Sequence, residues 1–175
     1  MKIRGLVLLV AALLASGLNP ASATMRISED RGGQIGHYLQ AFSMLRTSGE
    51  NVVVDGNCLS ACTLLLGVIP RDRICATGNA RFGFHAAWMP DSDGRPVTSP
   101  MGTQALWKVY PATVRRWINQ HGGLSRKMIY LQGRDLAGIV PSCTATAERQ
   151  QERSVRRYTS RALRYERANA ASDRR

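Results

Sequence analysis

Hydrophobic and polar residues alternate with two different periods along the chain, and the period predicts which elements form. Apolar residues at three- and four-residue steps are typical of an amphipathic helix, and the first such segment runs from Gln34 to Arg46. The short β-branched run Val52-Val53-Val54 is instead typical of a buried parallel strand. By these criteria we predict, in chain order, a helix over 34–46, a strand over 52–54, a buried helix over 60–68, and strands over 73–76 and 80–84.

The remaining segments are interpreted in the same way. Residues 24–30 form a short polar lead, and the segment 89–103, which is rich in Pro, Gly, Asp and Ser, predicts a loop. An amphipathic helix is expected over 104–120, bent or begun at Pro111, and a short helix over about 125–132. Helices that alternate with short apolar strands predict an α/β fold with a mostly parallel sheet built from βαβ units.

The N-terminus differs in composition from this middle part. A positively charged start is followed by an apolar run over 5–17 and by Ala21-Ser22-Ala23, which fits a signal-peptidase site, so we predict a signal peptide over 1–23. An uncleaved membrane anchor is the alternative, although the apolar run is shorter than the about 20 residues that span a bilayer. Cleavage after Ala23 predicts a periplasmic or secreted protein without a transmembrane segment.

The C-terminus is distinguished by its charge. The full chain has a net charge of +12, and residues 148–175 contain nine arginines against four acidic residues. Apolar residues at helical steps predict a basic surface helix there, separate from a domain over 24–147. Such a helix could dock on an anionic surface or partner, and a merely solvated basic face is the alternative. No motif indicates a specific nucleic-acid partner or a cofactor.

All four cysteines lie after the predicted cleavage site: Cys58, Cys62, Cys75 and Cys143. An even number in an exported chain favours two disulfides, in one of three pairings. Zinc is the rival explanation, but the spacings contain no C-x-x-C pair. We therefore predict disulfides and no metal site.

Three features together predict a site for acyl chemistry. Ser60 lies where a turn leaves a strand and enters a helix, which exposes its hydroxyl, and His85 at the end of the strand 80–84 could take the hydroxyl proton. Gly32-Gly33 could turn backbone N–H groups toward a developing oxyanion. Each feature has a structural alternative: Ser60 as a helix cap, the glycines as a turn, and His85 as a core histidine bonded to a backbone carbonyl.

The order and spacing of these features resemble a known family. Gly-Gly before a helix, an apolar strand, Gly56-x-x-x-Ser60-Ala61 and then Ala80-Arg81-x-x-x-His85 resemble the Clp-protease/crotonase superfamily, especially its exported bacterial members. The resemblance extends from Asp30 to about Ala87. It implies a spiral of βαβ units and a serine peptidase acting on peptides or proteins.

The resemblance also implies roles for individual residues. Ser60 would be the nucleophile, His85 the base, and the N–H groups of Gly32 or Gly33 and of Ala61 the oxyanion hole. Asp135 resembles the acid that the family carries after Arg, while a helix N-cap at Asp135 and the loop residues Asp91 and Asp93 are its alternatives. The ring-forming element of cytoplasmic Clp proteases is missing or rewritten, so an oligomer stays open.

Two functions are therefore expected. The first is an exported serine hydrolase with a Ser-His(-Asp) arrangement. The second is a catalytically inactive binding or scaffold protein on the same fold, which docks through its basic tail. Acyl-CoA chemistry of the crotonase type is disfavoured, because an exported chain meets no supply of that cofactor.

Overall fold

The computed structural model describes residues 24–144 together with Ser160 and Arg164. The predicted signal peptide lies outside the described residues, as does the predicted arginine-rich helix apart from Ser160 and Arg164. Within the described part, no helix is both long enough and apolar enough to cross a membrane.

The elements of residues 24–144 are named here in chain order. The strands are β1 (Thr24–Asp30), β2 (Asn51–Leu59), β3 (Ile74–Ala76), β4 (Arg81–Phe84), β5 (Trp88–Pro90), β6 (Pro96–Thr98) and β7 (Ile129–Gln132). The α-helices are α1 (Ile35–Ser48), α2 (Leu65–Val68), α3 (Pro100–Val109) and α4 (Ala112–Gln120). Short 3-10 helices cover Ser60–Leu64, Arg71–Arg73 and Gly133–Leu136.

The main sheet has the order β1-β2-β4-β7, and β3 also pairs with β2. Strands β1, β3 and β4 all run parallel to β2, whereas β7 is antiparallel to β4. The prediction of a mixed α/β fold with a mostly parallel sheet is thus confirmed. Strands β5 and β6 form a separate antiparallel hairpin.

Strand β2 determines where the candidate site lies. Its side chains alternate between the buried core and partial exposure, with Val52, Val54 and Cys58 fully buried. Its second half pairs with β4 in parallel, Leu59 opposite Gly83. Because parallel neighbours end at the same edge of a sheet, the residues that follow β2 and β4 emerge side by side. Those residues include Ser60 and His85.

Aromatic packing fixes the end of β4. Phe84 is fully buried, and its ring contacts Tyr110 edge-on at a centroid distance of 5.4 Å and Trp117 at 5.8 Å. Burying a side chain of this size stabilises the fold by roughly 1.5–3 kcal/mol. The residue next to His85 is therefore anchored in the core. Tyr110 and Pro111 separate α3 from α4, as the predicted bend at Pro111 required.

Three sequence predictions are wrong. The polar lead 24–30 is strand β1, which buries only Ile27 and gains its pairing from β2. The predicted loop 89–103 contains most of the β5–β6 hairpin and the start of α3. The predicted helix over 125–132 is instead a turn followed by β7, whose backbone pairs with β4. For β1 and β7, a partner strand distant in sequence decides the conformation, whereas β5 and β6 pair with each other.

Both predicted disulfides are present, and the structure selects the pairing. Cys58 is bonded to Cys62 across 4 positions, and Cys75 to Cys143 across 68. No cysteine is left free, so the rival zinc interpretation has no thiolates available. The short disulfide joins the end of β2 to the 3-10 helix that begins at Ser60.

Candidate active site

Ser60 stands at the junction of β2 and the 3-10 helix in an unusual backbone conformation. Its φ is +54°, and it is the only non-glycine residue at positive φ within residues 24–144. A side chain in this region costs roughly 1–2 kcal/mol, so the surroundings must hold it there. The Cys58–Cys62 disulfide encloses the turn, and the Thr63 hydroxyl donates to the Ser60 carbonyl at 2.6 Å.

A buried hydrogen-bond chain supports this turn from below. The Thr63 side chain is fully buried, and its Oγ1 lies 2.7 Å from the hydroxyl of Tyr110. Because Thr63 donates its own proton to the Ser60 carbonyl, Tyr110 must be the donor in this bond. Burial raises the pKa of Tyr110 to about 12, which keeps the phenol protonated for that task.

His85 and Ser60 come within hydrogen-bonding distance. The Nε2 atom of His85 lies 2.8 Å from Ser60 Oγ, and its Nδ1 atom lies 2.7 Å from the backbone carbonyl oxygen of Ala86. A carbonyl only accepts, so Nδ1 carries the proton of the neutral ring and Nε2 presents its lone pair to the serine hydroxyl. This is the tautomer that a general base requires. The structural alternative, a carbonyl-bound histidine, therefore coexists with the Ser60 contact.

The glycine loop lies directly against the Ser60 turn. Gly32 has φ +80°, and a Cβ atom there would come within 2.5 Å of the Leu59 carbonyl oxygen and 2.6 Å of Ser60 Cβ. Only a residue without a side chain fits such an approach. Gly32 therefore lies directly against Ser60 and Ala61.

The two glycine N–H groups differ in what they face. The N–H of Gly32 donates to Asp30 Oδ1 at 2.8 Å, so it is engaged away from a substrate oxygen. In the described part of the chain no hydrogen-bond partner is found for the Gly33 N–H. Ala61 occupies the second position of the 3-10 helix, where a backbone N–H has no acceptor one turn earlier in the same helix. In residues 24–144, the N–H groups of Gly33 and Ala61 are therefore available as hydrogen-bond donors at this site, and that of Gly32 is not.

Asp135 does not join the pair formed by Ser60 and His85. Its Oδ2 lies 3.4 Å from Trp117 Nε1 and 3.8 Å from His121 Nε2, at the end of α4. The rings of Trp117 and His121 are stacked, with centroids 4.1 Å apart. The expectation that Asp135 orients His85 is corrected accordingly, because the Ala86 carbonyl occupies the nitrogen that an acid would hold. The alternatives Asp91 and Asp93 lie in the hairpin turn, where Asp91 Oδ1 accepts from the N–H groups of Asp93 and Arg95.

Sequence reasoning missed two groups at this site. The Ala86 carbonyl carries no side-chain signal and could not have been found. Asp30 could have been, because an aspartate two residues before a glycine commonly accepts that glycine's N–H in a tight turn. Tyr38 also bonds to Asp30, with its hydroxyl 2.5 Å from Oδ1.

These observations define a mixed α/β protein with a serine–histidine pair at one sheet edge. No protein-family model matches the chain, and neither does a curated protein sequence. Among solved structures it is similar to a point mutant of ClpP1 from Listeria monocytogenes, with 14% identity, 77% of each chain covered and a TM-score of 0.39.

Proposed function

We propose that this protein is an exported serine hydrolase, a peptidase, in which Ser60 is the nucleophile and His85 the general base. The observation that carries the proposal is the 2.8 Å contact between Ser60 Oγ and His85 Nε2, made by a serine held at positive φ. A strained serine between a strand and a helix is a recurrent device for exposing a nucleophile. The two disulfides support export, since such bonds persist in oxidising compartments.

The proposed reaction begins with attack of Ser60 Oγ on the scissile carbonyl carbon, while the hydroxyl proton passes to His85 Nε2. The carbonyl oxygen becomes an oxyanion that accepts from the N–H groups of Gly33 and Ala61. As the C–N bond breaks, His85 gives its proton to the leaving nitrogen, and an ester on Ser60 remains. Water then gives a proton to His85, attacks the ester, and Ser60 leaves with that proton.

The orienting group of His85 is a neutral carbonyl and not a carboxylate. The Ala86 oxygen fixes the tautomer and the ring position, which is one part of what an acid does in a triad. It carries no full charge and stabilises the imidazolium less than a carboxylate would. We therefore expect slow turnover, and active-site labelling is a better assay than substrate cleavage.

The test is covalent labelling by a fluorophosphonate probe, followed by intact mass. We expect one adduct on the wild type, and none on Ser60→Ala or His85→Ala. Ser43→Ala and His37→Ala are matched controls. Both residues are exposed on α1, and each substitution makes the same chemical change away from the candidate site. These controls should label like the wild type. Equal labelling of Ser60→Ala and the wild type would refute the proposal.

A further inference from the structure

A single carboxylate oxygen links three elements around the candidate site. Asp30 is the last residue of β1 and lies opposite Cys58 in the β1–β2 register, and Cys58 precedes Ser60 by two residues. Its Oδ1 accepts the Gly32 N–H at 2.8 Å and the Tyr38 hydroxyl at 2.5 Å. Tyr38 belongs to α1, so this one atom joins the strand, the glycine loop and the helix.

The Tyr38 ring also lies beside the glycine loop. A Cβ built on Gly33 would come within 3.4 Å of Tyr38 Cε2, so the ring borders the space next to that glycine. Burial first, and then the bond to Asp30, raises the pKa of Tyr38 to about 12. The phenol therefore remains a neutral donor to the carboxylate throughout the pH range in which proteins work. Hydrogen bonds to a charged acceptor are shorter and stronger than neutral ones, which suits a fixing role.

The direction of the Gly32 N–H follows from this arrangement. A loop of two glycines has many conformations of similar energy, and nothing in its own sequence decides which N–H faces the serine. The bond to Asp30 removes that freedom by committing Gly32 to β1. The next N–H along the chain is that of Gly33.

We propose that Asp30 and Tyr38 are positioning residues of the oxyanion loop, which hold Gly32 back so that Gly33 and Ala61 donate to the substrate oxygen. This inference rests on the proposed serine hydrolase function. Neither side chain touches the reacting atoms in it. Their effect passes through the backbone of the glycine loop.

The first test is the kinetics of fluorophosphonate labelling, resolved into the maximal rate and the half-saturating probe concentration. Asp30→Ala should lower the maximal rate about 10²-fold, which is the scale of a 1 Å misplacement. Tyr38→Phe should lower it less, and Asp30→Asn should restore part of it, because an amide oxygen still accepts the Gly32 N–H. The half-saturating concentration should stay within about twofold, since a loop that acts on the reaction and not on binding changes the rate alone.

Tyr130→Phe is the matched control for Tyr38→Phe, because Tyr130 lies on β7 and its ring stacks under Arg81. It should label at the wild-type rate. Equal maximal rates for wild type, Asp30→Ala and Tyr38→Phe would overturn the inference. A rise in the half-saturating concentration with an unchanged maximal rate would overturn it too.

Amide hydrogen exchange separates this inference from the proposed function. In the wild type, the Gly32 amide should be protected and the Gly33 amide should exchange fast, and Asp30→Ala should abolish the protection of Gly32. A wild type with this pattern that takes no label would refute the hydrolase and leave the loop assignment intact. Protection of Gly33 in place of Gly32 would overturn the loop assignment, whatever the labelling shows.

Discussion

Replacing Gly32 by alanine tests the contact between the glycine loop and the nucleophile turn most directly. The new methyl group would meet the Leu59 carbonyl oxygen at 2.5 Å, Ser60 Cβ at 2.6 Å and the Ala61 nitrogen at 2.8 Å. Two of these atoms are backbone and cannot rotate away. The loop and the turn must therefore move apart, which also separates the two proposed oxyanion donors, Gly33 and Ala61.

Gly49 supplies an internal reference for the backbone cost. It has the same φ of +80°, but the nearest atom to a Cβ there is the flexible Arg73 Nη1 at 3.9 Å. An alanine at positive φ destabilises the folded state by roughly 1–2 kcal/mol. It also lowers the conformational entropy of the unfolded chain, which offsets about 0.4–1 kcal/mol of that loss. We expect a loss of about 1 kcal/mol in Gly49→Ala. Overpacking adds about 1–3 kcal/mol to that in Gly32→Ala.

Urea denaturation of both variants measures the difference, and probe labelling measures its effect on the site. Gly32→Ala should be the less stable variant and should label at least about tenfold more slowly, whereas Gly49→Ala should label normally. If the two variants lose equal stability and label alike, the close approach of the loop to Ser60 is wrong.

Two further predictions concern the supports of the site. Removing the short disulfide in Cys58→Ala/Cys62→Ala should cost about 2 kcal/mol of stability and slow labelling. Removing the long one in Cys75→Ala/Cys143→Ala should cost about 4 kcal/mol, because it encloses more chain, and should leave labelling of the folded protein intact. Urea unfolding and probe kinetics measure both effects, and normal labelling of the first variant would contradict the role given to the short disulfide. Tyr110→Phe should lose about 1 kcal/mol at neutral pH. The pKa of Tyr110 is raised by burial from 10.0 to about 12, so its contribution is complete below pH 10 and lost as the pH rises toward 12. Wild type should therefore lose stability more steeply than Tyr110→Phe in that window, and parallel pH curves would refute this.

Elements whose pattern is contained in their own sequence could be predicted, whereas strands that depend on pairing with a distant strand could not. Helix α1 carries its own periodicity, so its sequence was sufficient. The β-branched run over 52–54 predicted only the first part of β2, which continues to Leu59. The strands β1 and β7 were missed because each is a short segment with a single buried side chain, Ile27 or Leu131. Their strand conformation comes from hydrogen bonds to β2 and β4, which no local pattern contains.

The site was predictable to the extent that adjacent strand ends must meet. Ser60 and His85 directly follow two neighbouring parallel strands, so the topology places their side chains within hydrogen-bonding distance. The sequence could not show which group orients the His85 ring, because that depends on distances between segments far apart in the chain. Asp135, the predicted acid, instead lies beside Trp117 and His121 at the end of α4. The backbone carbonyl of Ala86 bonds to His85 Nδ1 instead. Every residue has a backbone carbonyl, so the sequence does not mark which one does so.

The long disulfide has a consequence for the covalent structure of the molecule. Cys75 and Cys143 are 68 positions apart, and the stretch between them includes His85, the hairpin, both later helices and β7. A single cut at the exposed hairpin tip, between Asp91 and Arg95, would therefore release nothing. The nicked molecule would run as one band until a thiol was added and would then part into two fragments, with Ser60 and His85 together on the first.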